Sequence, residues 1–594
     1  MRWRRLITVA IAALALLAGC GIPDGTGVRD DGTGPSEPVG DPDTGLQPPG
    51  RVASREPDRF VRNFLSSPAG DLAGAAERQR LFLTKRAAAD WKPLNEINVI
   101  SLTEDPLITG KEVVLKDVQH IGTLGENGIL EPRRPQEPAQ STYTFRIELG
   151  EDEDNGLFVS NPPPMILMSL DALDAYYEPR VIYFWNTDHT GLVPDVRYLA
   201  RSVPRARRPN DVLDWLIAGP SPWLKSAVEP LPDGTQAPGN VPDPSTGHLI
   251  VNLNAAALTG DGDQLDRLGS QLRWSLRPDS QGDLQLKIDN QPKKTFAGDA
   301  YLGDNPESRD EATQWPFCVF QEHVRRISPP SQLTDVPVEA KFNTFVRWAA
   351  FARTDNGDQV TGALVRKFGD RYQLWVGGGA DPAYREVGSA ADMSRPSWLA
   401  GPGGAGFVPA GGKLYQFTRG RTGLRAVTLT GSRNDVTAVA TPPDGQRMAY
   451  VDGGRLYVAA LRRDGGKLTD VGDPQEVPTP FSTVMAVAWS GEGRLMTAGS
   501  RSDNGRTALF EVSVDGGQRR EEVASLGRAN VKQLVAYPDD PSTTTEDRRV
   551  MYEADGVGYE LFSEPKQLTV RDVLGVQPTP SNVNIPPTAP FFLE

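Results

Sequence analysis

The sequence predicts a multidomain chain: an α+β domain, then an α/β domain, then an all-β propeller as the C-terminal half. Three observations predict it. Apolar-to-turn junctions recur at near-constant spacing through the C-terminal half. Helical and strand periodicities succeed one another in two separate blocks before it. And 60 Gly and 51 Pro among 594 residues favour turn-dense β architecture over long helices. A chain of this length also exceeds what a single core supports.

The first twenty residues, MRWRRLITVAIAALALLAGC, carry the sharpest signal. Arg2, Arg4 and Arg5 form a positive n-region, and Leu6 to Leu17 is an apolar stretch too short to span a bilayer but suited to a signal-peptide h-region. It runs into Leu17, Ala18, Gly19 and Cys20, which match a lipobox, with cleavage expected between Gly19 and Cys20. The expectation is a signal peptide over 1–19, then a diacylglycerol thioether on the Cys20 sulfur, with N-acylation of its new amino group left open. Two or more acyl chains anchor stably where one does not. The protein is thus expected at the cell membrane, lipid-anchored on the extracytoplasmic face. Arg4 and Arg5 leave both the general secretory and the twin-arginine route open. The formal net charge of −14 becomes −17 once the three N-terminal arginines are removed. Such a polyanion repels nucleic acid, and none is expected as a partner.

Residues 20–56 read as the lipidated cysteine and a disordered spacer, since Gly, Pro, Asp, Thr and Ser dominate and large apolar residues are almost absent. The α+β domain is expected over 57–177. Phe60, Val61, Phe64 and Leu65 recur at helical spacing, a second helix is expected over 74–91, and strands follow at 99–102, 112–118 and 143–149. This helix-then-sheet order is similar to that of NTF2-like domains.

The α/β domain is expected over 178–295. Val181 to Trp185 reads as a buried strand, with a second near 196–203, and Asn210 or Asp211 is expected to cap a helix carrying Val212, Leu213, Leu216 and Ile217, closed by Gly219. Leu249, Val251 and Leu253 alternate as a strand. Asp263 is expected to cap a helix through Leu265, Leu268 and Leu272, before a strand at Leu284, Leu286 and Ile288. The run YFWNTDHTGLVPDVRYL, then VLDWLIAGPSPWL, LPDGT and GHLIVNLN, resembles the GerMN domain of sporulation and germination proteins. That resemblance implies an α/β envelope module and brings no catalytic residues.

The propeller and its Pro-rich tail are expected over 296–594. Phe351, Trp398, Thr441, Trp489 and Tyr537 stand at equivalent junctions, 47, 43, 48 and 48 residues apart, each followed by turn and strand alternations. Five blades are legible, and a sixth is expected in the region before Trp348. Stacked β-sandwiches are the rival reading. The terminal Phe591, Phe592 and Leu593 are expected to dock and help close the ring. Taken together, lipobox, acidic spacer, helix-plus-sheet domain, GerMN-like domain and propeller resemble the LpqB family of actinobacterial lipoproteins. The resemblance implies an extracytoplasmic accessory of the MtrA–MtrB two-component system, with the sensor histidine kinase MtrB as partner.

Candidate chemistry is sparse, and neither catalytic residues, a metal nor any cofactor beyond the Cys20 lipid is expected. The four histidines, 120, 189, 248 and 323, never fall at metal-ligand spacing. Asp188-His189 reads as a turn. Asp261-Gly262-Asp263 fails as a calcium loop, because its twelfth position is Leu272 where a glutamate is required. Asp30-Asp31 and Glu151 to Asp154 read as solvated surface. Cys318 lies in an apolar run and is expected to be buried and inert. Gly377–Gly379 and Gly403-Gly404 read as blade turns. Trp348, Trp398 and Trp489 are expected in blade cores. A glycan platform formed by the same tryptophans is the alternative, and it gives the second functional reading, an envelope-glycan or peptidoglycan-binding lipoprotein using the propeller face.

Overall fold

The computed structural model describes residues 46–594 except 134–137, 139, 151–155, 243–247, 259–261, 278–281, 309–314, 328–335, 355–358, 380, 402 and 544–547. The lipobox, Asp30-Asp31, Glu151 to Asp154 and Asp261 lie outside the described residues.

The first helix, Pro57–Ser66, buries Phe60, Val61, Phe64 and Leu65 as their spacing predicts. It packs on a mixed sheet in the order Leu157–Val159, Gln140–Leu149, Glu112–Leu124, Ile97–Ser101, Ile166–Ser169. Phe64 meets Phe82 and Phe145 with ring centroids 6.2 and 5.6 Å apart. The helix expected over 74–91 is two short ones, Ala75–Arg80 and Lys85–Asp90. The sheet edge explains the break. Thr84 N–H donates to the Val159 carbonyl (2.9 Å) and Val159 N–H to the Phe82 carbonyl (2.9 Å), so residues 82–84 satisfy an otherwise open strand edge. Thr84 Oγ1 then caps the second helix by accepting from Ala87 N–H. At the opposite edge the buried Gln79 side chain pairs with both backbone groups of Leu167 (2.9 and 3.3 Å). The spacer expected to run to residue 56 is tied down earlier: Leu157 N–H donates to the Ser54 carbonyl (2.9 Å), and the Arg51 guanidinium lies 4.1 Å from the Phe158 ring centroid.

The described residues of the second block form two three-stranded sheets. One joins Val228–Glu229, Tyr177–Asn186 and Leu192–Ala200; the other joins His248–Leu253, Asp283–Ile288 and Gln291–Phe296. His248–Leu253 and Asp283–Ile288 run parallel, so they need a crossover, supplied by the helix Gln264–Leu276. Capping differs from expectation. The helix Arg208–Ala218 starts earlier, from a 3₁₀ turn over Arg205–Arg207, and no side chain caps it. Asn210 instead accepts from Val241 N–H (2.7 Å), and Asp211 pairs with Arg207. Asp263 holds the N-cap position of the crossover helix without a side-chain cap bond. Gly219 closes the first helix at φ +93°, as expected. Residues Ala300–Asp304 pack back here, with Trp274 Nε1 donating to the Tyr301 carbonyl (2.8 Å).

Among the described residues, the rest forms a ring of six sheets. Their inner strands are Val346–Arg353, Ser397–Trp398, Val436–Ala440, Phe481–Gly491, Val531–Tyr537 and Thr588–Phe592. The sixth blade is composite: the strand Thr588–Phe592 pairs antiparallel with Pro316–Phe320, which pairs with His323–Arg326. Phe591 is fully buried, its ring 5.3 Å from Phe317 and 5.2 Å from Phe351. Phe351 also bridges Leu593, which links the sixth blade to the first. Docking of the tail therefore supplies the inner strand of a blade. Cys318 is buried in this sheet, and burial pushes its thiol well above the usual range.

Phe591→Ala leaves a cavity between the rings of Phe317 and Phe351 at the closure. The expected loss is about 3–5 kcal/mol of stability by denaturant titration, against less than about 1 kcal/mol for truncation of an exposed residue such as Phe562.

Candidate functional site at the roofed end of the ring

Every inner strand runs in the same sense, and at the end where they finish the ring encloses a cavity of about 1220 Å³. Four of the five junction residues aligned from sequence gather there: Trp398, Thr441, Trp489 and Tyr537 line the cavity, Phe351 is buried in the core beside it, and Leu593 takes the same place in the sixth blade. The indoles of Trp398 and Trp489 are 4% exposed and act as staples between blades. Each Nε1 donates to a carbonyl of the preceding inner strand, Ala350 (3.0 Å) and Ala440 (3.1 Å). Their ring faces are consumed by packing, so they form no stacking platform. Trp348 is not their equivalent. It stands three residues before Phe351, half-buried against Tyr372 with centroids 5.6 Å apart.

The second domain roofs this end. The turn Asn186 to Gly191, with Pro306, forms part of the cavity wall. Asp188 in that turn accepts from Gly465 and Gly466 N–H (3.1 Å each), and Thr187 Oγ1 donates to the Arg463 carbonyl (3.2 Å). The dipeptide Asp188-His189 is thus divided: Asp188 grips the third blade, while His189, at φ +52°, pairs with Glu229 of its own domain. The other histidines are scattered. His120 meets Tyr143 (3.0 Å), His323 Nδ1 lies 2.6 Å from the Gln321 carbonyl, and His248 begins a strand. Among the described residues no three His, Cys, Asp or Glu side chains gather as a metal group.

Close approach and buried polar pairs fix the roof. A Cβ on Gly493 would lie 2.3 Å from Val196, and one on Gly517 2.3 Å from the Tyr198 hydroxyl, so both turns need glycine for contact. Tyr198 donates to Asp515 (2.9 Å), which also accepts from Gly517 N–H (2.9 Å). Tyr183 donates to Glu492 (2.8 Å), and Asn305 to its other oxygen (2.7 Å). Arg447, fully buried, joins Asp444 (2.7 Å), Glu307 (3.3 Å) and the Glu492 carbonyl, and its guanidinium lies 4.6 Å from the Trp489 ring centroid. Burial drives Tyr183 and Tyr198 well above the usual tyrosine range, with the neighbouring carboxylates adding to the effect. Burial also raises Glu492 and Asp515, against the hydrogen bonds that favour their charged forms. The first domain reaches the ring beside this junction: Gln119 donates to the Thr479 carbonyl and accepts from Arg519 (3.1 Å each), and Arg133 pairs with Glu476 (3.3 Å). None of these residues carries a sequence signal, because each sits in what reads as an ordinary strand or turn.

Two outcomes follow from this junction. Asp188→Ala removes two charge-assisted bonds, so amide exchange at Gly465 and Gly466 is expected to accelerate about tenfold, read by hydrogen–deuterium mass spectrometry. Glu492 has a folded pKa above its unfolded value, so the folded chain binds that proton more tightly. Its contribution favours folding at low pH and is lost as pH rises through the folded pKa. Melting temperature across that window is expected to fall less steeply with pH in Glu492→Gln than in the parent chain.

Comparison with known proteins gives consistent assignments along the chain. Residues 51–174 match the family described as Lipoprotein LpqB, N-terminal domain; 181–294 match Germane, sporulation and spore germination; and 334–560 match Gmad1, the Lipoprotein LpqB beta-propeller domain. Lipoprotein LpqB of Corynebacterium jeikeium is 24% identical over 85% of this chain and 86% of its own length. That of Nocardia farcinica is 25% identical over 90% and 91%, and that of Mycobacterium tuberculosis 24% identical over 86% and 88%. Among solved structures, the hydrazine synthase of Kuenenia stuttgartiensis covers 40% of this chain and 71% of its own at 12% identity and TM-score 0.27, too remote to bear on function. No helix among the described residues is long and apolar enough to cross a membrane. With the N-terminal and propeller domains of one lipoprotein type flanking a Germane domain, and relatives of that type aligned over most of its length, the chain is similar from end to end of its described domains to the LpqB lipoproteins.

Proposed function

We propose that the chain is an extracytoplasmic regulator, held to the membrane by lipid on Cys20, that acts by contact rather than by chemistry on a two-component sensor kinase of the MtrB type. Its influence on envelope and cell-division signalling runs through that contact. The observation that carries the reading is the asymmetry of the ring. One end is covered by the chain's own second domain, and the other presents an exposed aromatic pair. Phe345, 46% exposed, and Phe368, 37% exposed, stand with centroids 5.1 Å apart where the first blade's inner strand begins. Phe345 has φ +58°, a conformation that costs a bulky residue about 1–3 kcal/mol. Backbone bonds hold it there, with Lys367 N–H donating to its carbonyl (2.8 Å) and Val346 N–H to that of Glu322 (2.9 Å). Strain that presents an aromatic ring to solvent serves a contact better than it serves the fold. A lipid tether raises the local concentration of the block near a membrane kinase, so even a modest affinity gives high occupancy.

The test uses the mature, lipidated chain in nanodiscs and the kinase's extracytoplasmic domain. Binding with a micromolar or tighter Kd is expected, weakened about tenfold or more by the double substitution Phe345→Ala and Phe368→Ala with melting temperature held. Two folded proteins that do not associate at micromolar concentration would remove the reading.

A further inference from the structure

The cavity at the roofed end has a chemical character that the kinase reading does not use. Its acidic side chains are already engaged: Asp188 with Gly465 and Gly466 N–H, Asp444 with Arg447, and Glu594 with Arg395 and the Trp398 N–H. Four arginines line the same space, Arg353, Arg395, Arg419 and Arg463. Arg463 is occupied by the carbonyls of Ala400, Gly445 and Gly466. Arg419 is different. It is exposed at the cavity rim and has no ion pair or hydrogen-bonding side-chain partner among the described residues, and it lies across two glycines that make room for it. A Cβ on Gly379 would stand 2.2 Å from its Nη1, and one on Gly404 3.3 Å from its Cβ.

Two further polar atoms in the wall are buried without a partner. Gln446 is 3% exposed, and its side-chain Oε1 has none. The Arg395 Nε–H has none either, although the same guanidinium reaches Glu594. A buried amide oxygen and a buried N–H left unsatisfied each carry a desolvation penalty that a ligand supplying the missing group removes. The oxygen needs a donor, the Arg395 Nε–H an acceptor and the Arg419 guanidinium an anion. At about 1220 Å³ the cavity exceeds the usual ~300–1,000 Å³ of a drug-sized site, which leaves space for a molecule of two or more units.

We propose that this cavity binds a small organic anion that also carries O–H or N–H donors, with Arg419 and Arg395 taking the anion and Gln446 accepting from the donor. Acidic saccharides and short peptides with a free carboxylate share that chemistry. Arg353 and Arg419, on the first two blades, line the cavity and are exposed, and this places the entrance. The proposal stands apart from the kinase reading, and either can fail alone.

The test is calorimetric titration of the full mature chain in detergent with digalacturonate, with D-alanyl-D-alanine, and with lactose as the neutral control. One or both anionic probes are expected to bind with a Kd below about 1 mM while lactose does not. Whichever of the two binds identifies the source. Arg419→Ala, an exposed change that leaves the melting temperature of the free chain unaltered, is expected to weaken the anionic probe at least tenfold, and Gln446→Leu to do likewise. Absence of binding by both anions at about 10 mM, equal binding of lactose, or affinity unchanged in Arg419→Ala would each overturn the proposal.

Discussion

The strand Thr588–Phe592 lies beside Pro316–Phe320 across 269 residues of sequence, and the C-terminal half has its shape only because that pairing forms. Each four-stranded blade has two apolar faces and must bury both against neighbours, so an open row of blades would leave two faces in water. The composite blade removes both at once. Phe317, Phe351 and Phe591 fill the seam, and Phe592 meets Tyr537 of the fifth blade at 5.8 Å. The entropy of closing so long a loop grows only slowly with its length, so a few buried aromatics suffice to hold it.

Closure also determines what the roofed end can be. Inner strands meeting around an axis bring Trp398, Thr441, Trp489, Tyr537 and Leu593 together, although they are spread over nearly two hundred residues of chain. The second domain settles on that end through features that tolerate little displacement. Glycines at 493 and 517 allow backbone contact, and buried hydroxyl–carboxylate pairs at Tyr183 and Tyr198 lose their partners if the domains shift. Arg447 is the most demanding member, a fully buried cation with Asp444 and Glu307 as counter-charges. Such a group adds little net stability but strongly disfavours any arrangement that leaves it unpaired.

Much of the architecture was legible in the sequence. The four intervals between Phe351 and Tyr537 gave the blade period, and the apolar spacing of Phe60 to Leu65 and of Leu249 to Leu253 gave a helix and a strand that the structure reproduces. What was not legible depends on tertiary partners. The helix over 74–91 breaks because the edge of a strand seventy residues later takes its middle, which no local propensity encodes. Asn210 and Asp211 have the chemistry of caps, but Val241 and Arg207 claim them. The candidate site was the least legible part. Its tryptophans were placed correctly as core, yet the cavity beside them is defined by Gln446, Arg395 and Arg419, whose sequence neighbourhoods read as ordinary blade turns and strands.

The division of labour within the ring bears on what kind of molecule this is. A general acid or base has to reach a substrate proton with a side chain held within hydrogen-bond range. The carboxylates described at the cavity instead hold backbone N–H groups and arginines, that is, they build the wall. The unpartnered groups found there among the described residues are the Arg419 guanidinium, the Arg395 Nε–H and the Gln446 amide oxygen, which suit recognition of a polar ligand. At the uncovered end, strain at Phe345 maintains an exposed ring that contributes nothing to the core. Both ends of the propeller therefore carry groups that the fold leaves unused, a guanidinium and an amide oxygen at one and an exposed aromatic pair at the other, and the closed ring between them keeps the two in fixed relation.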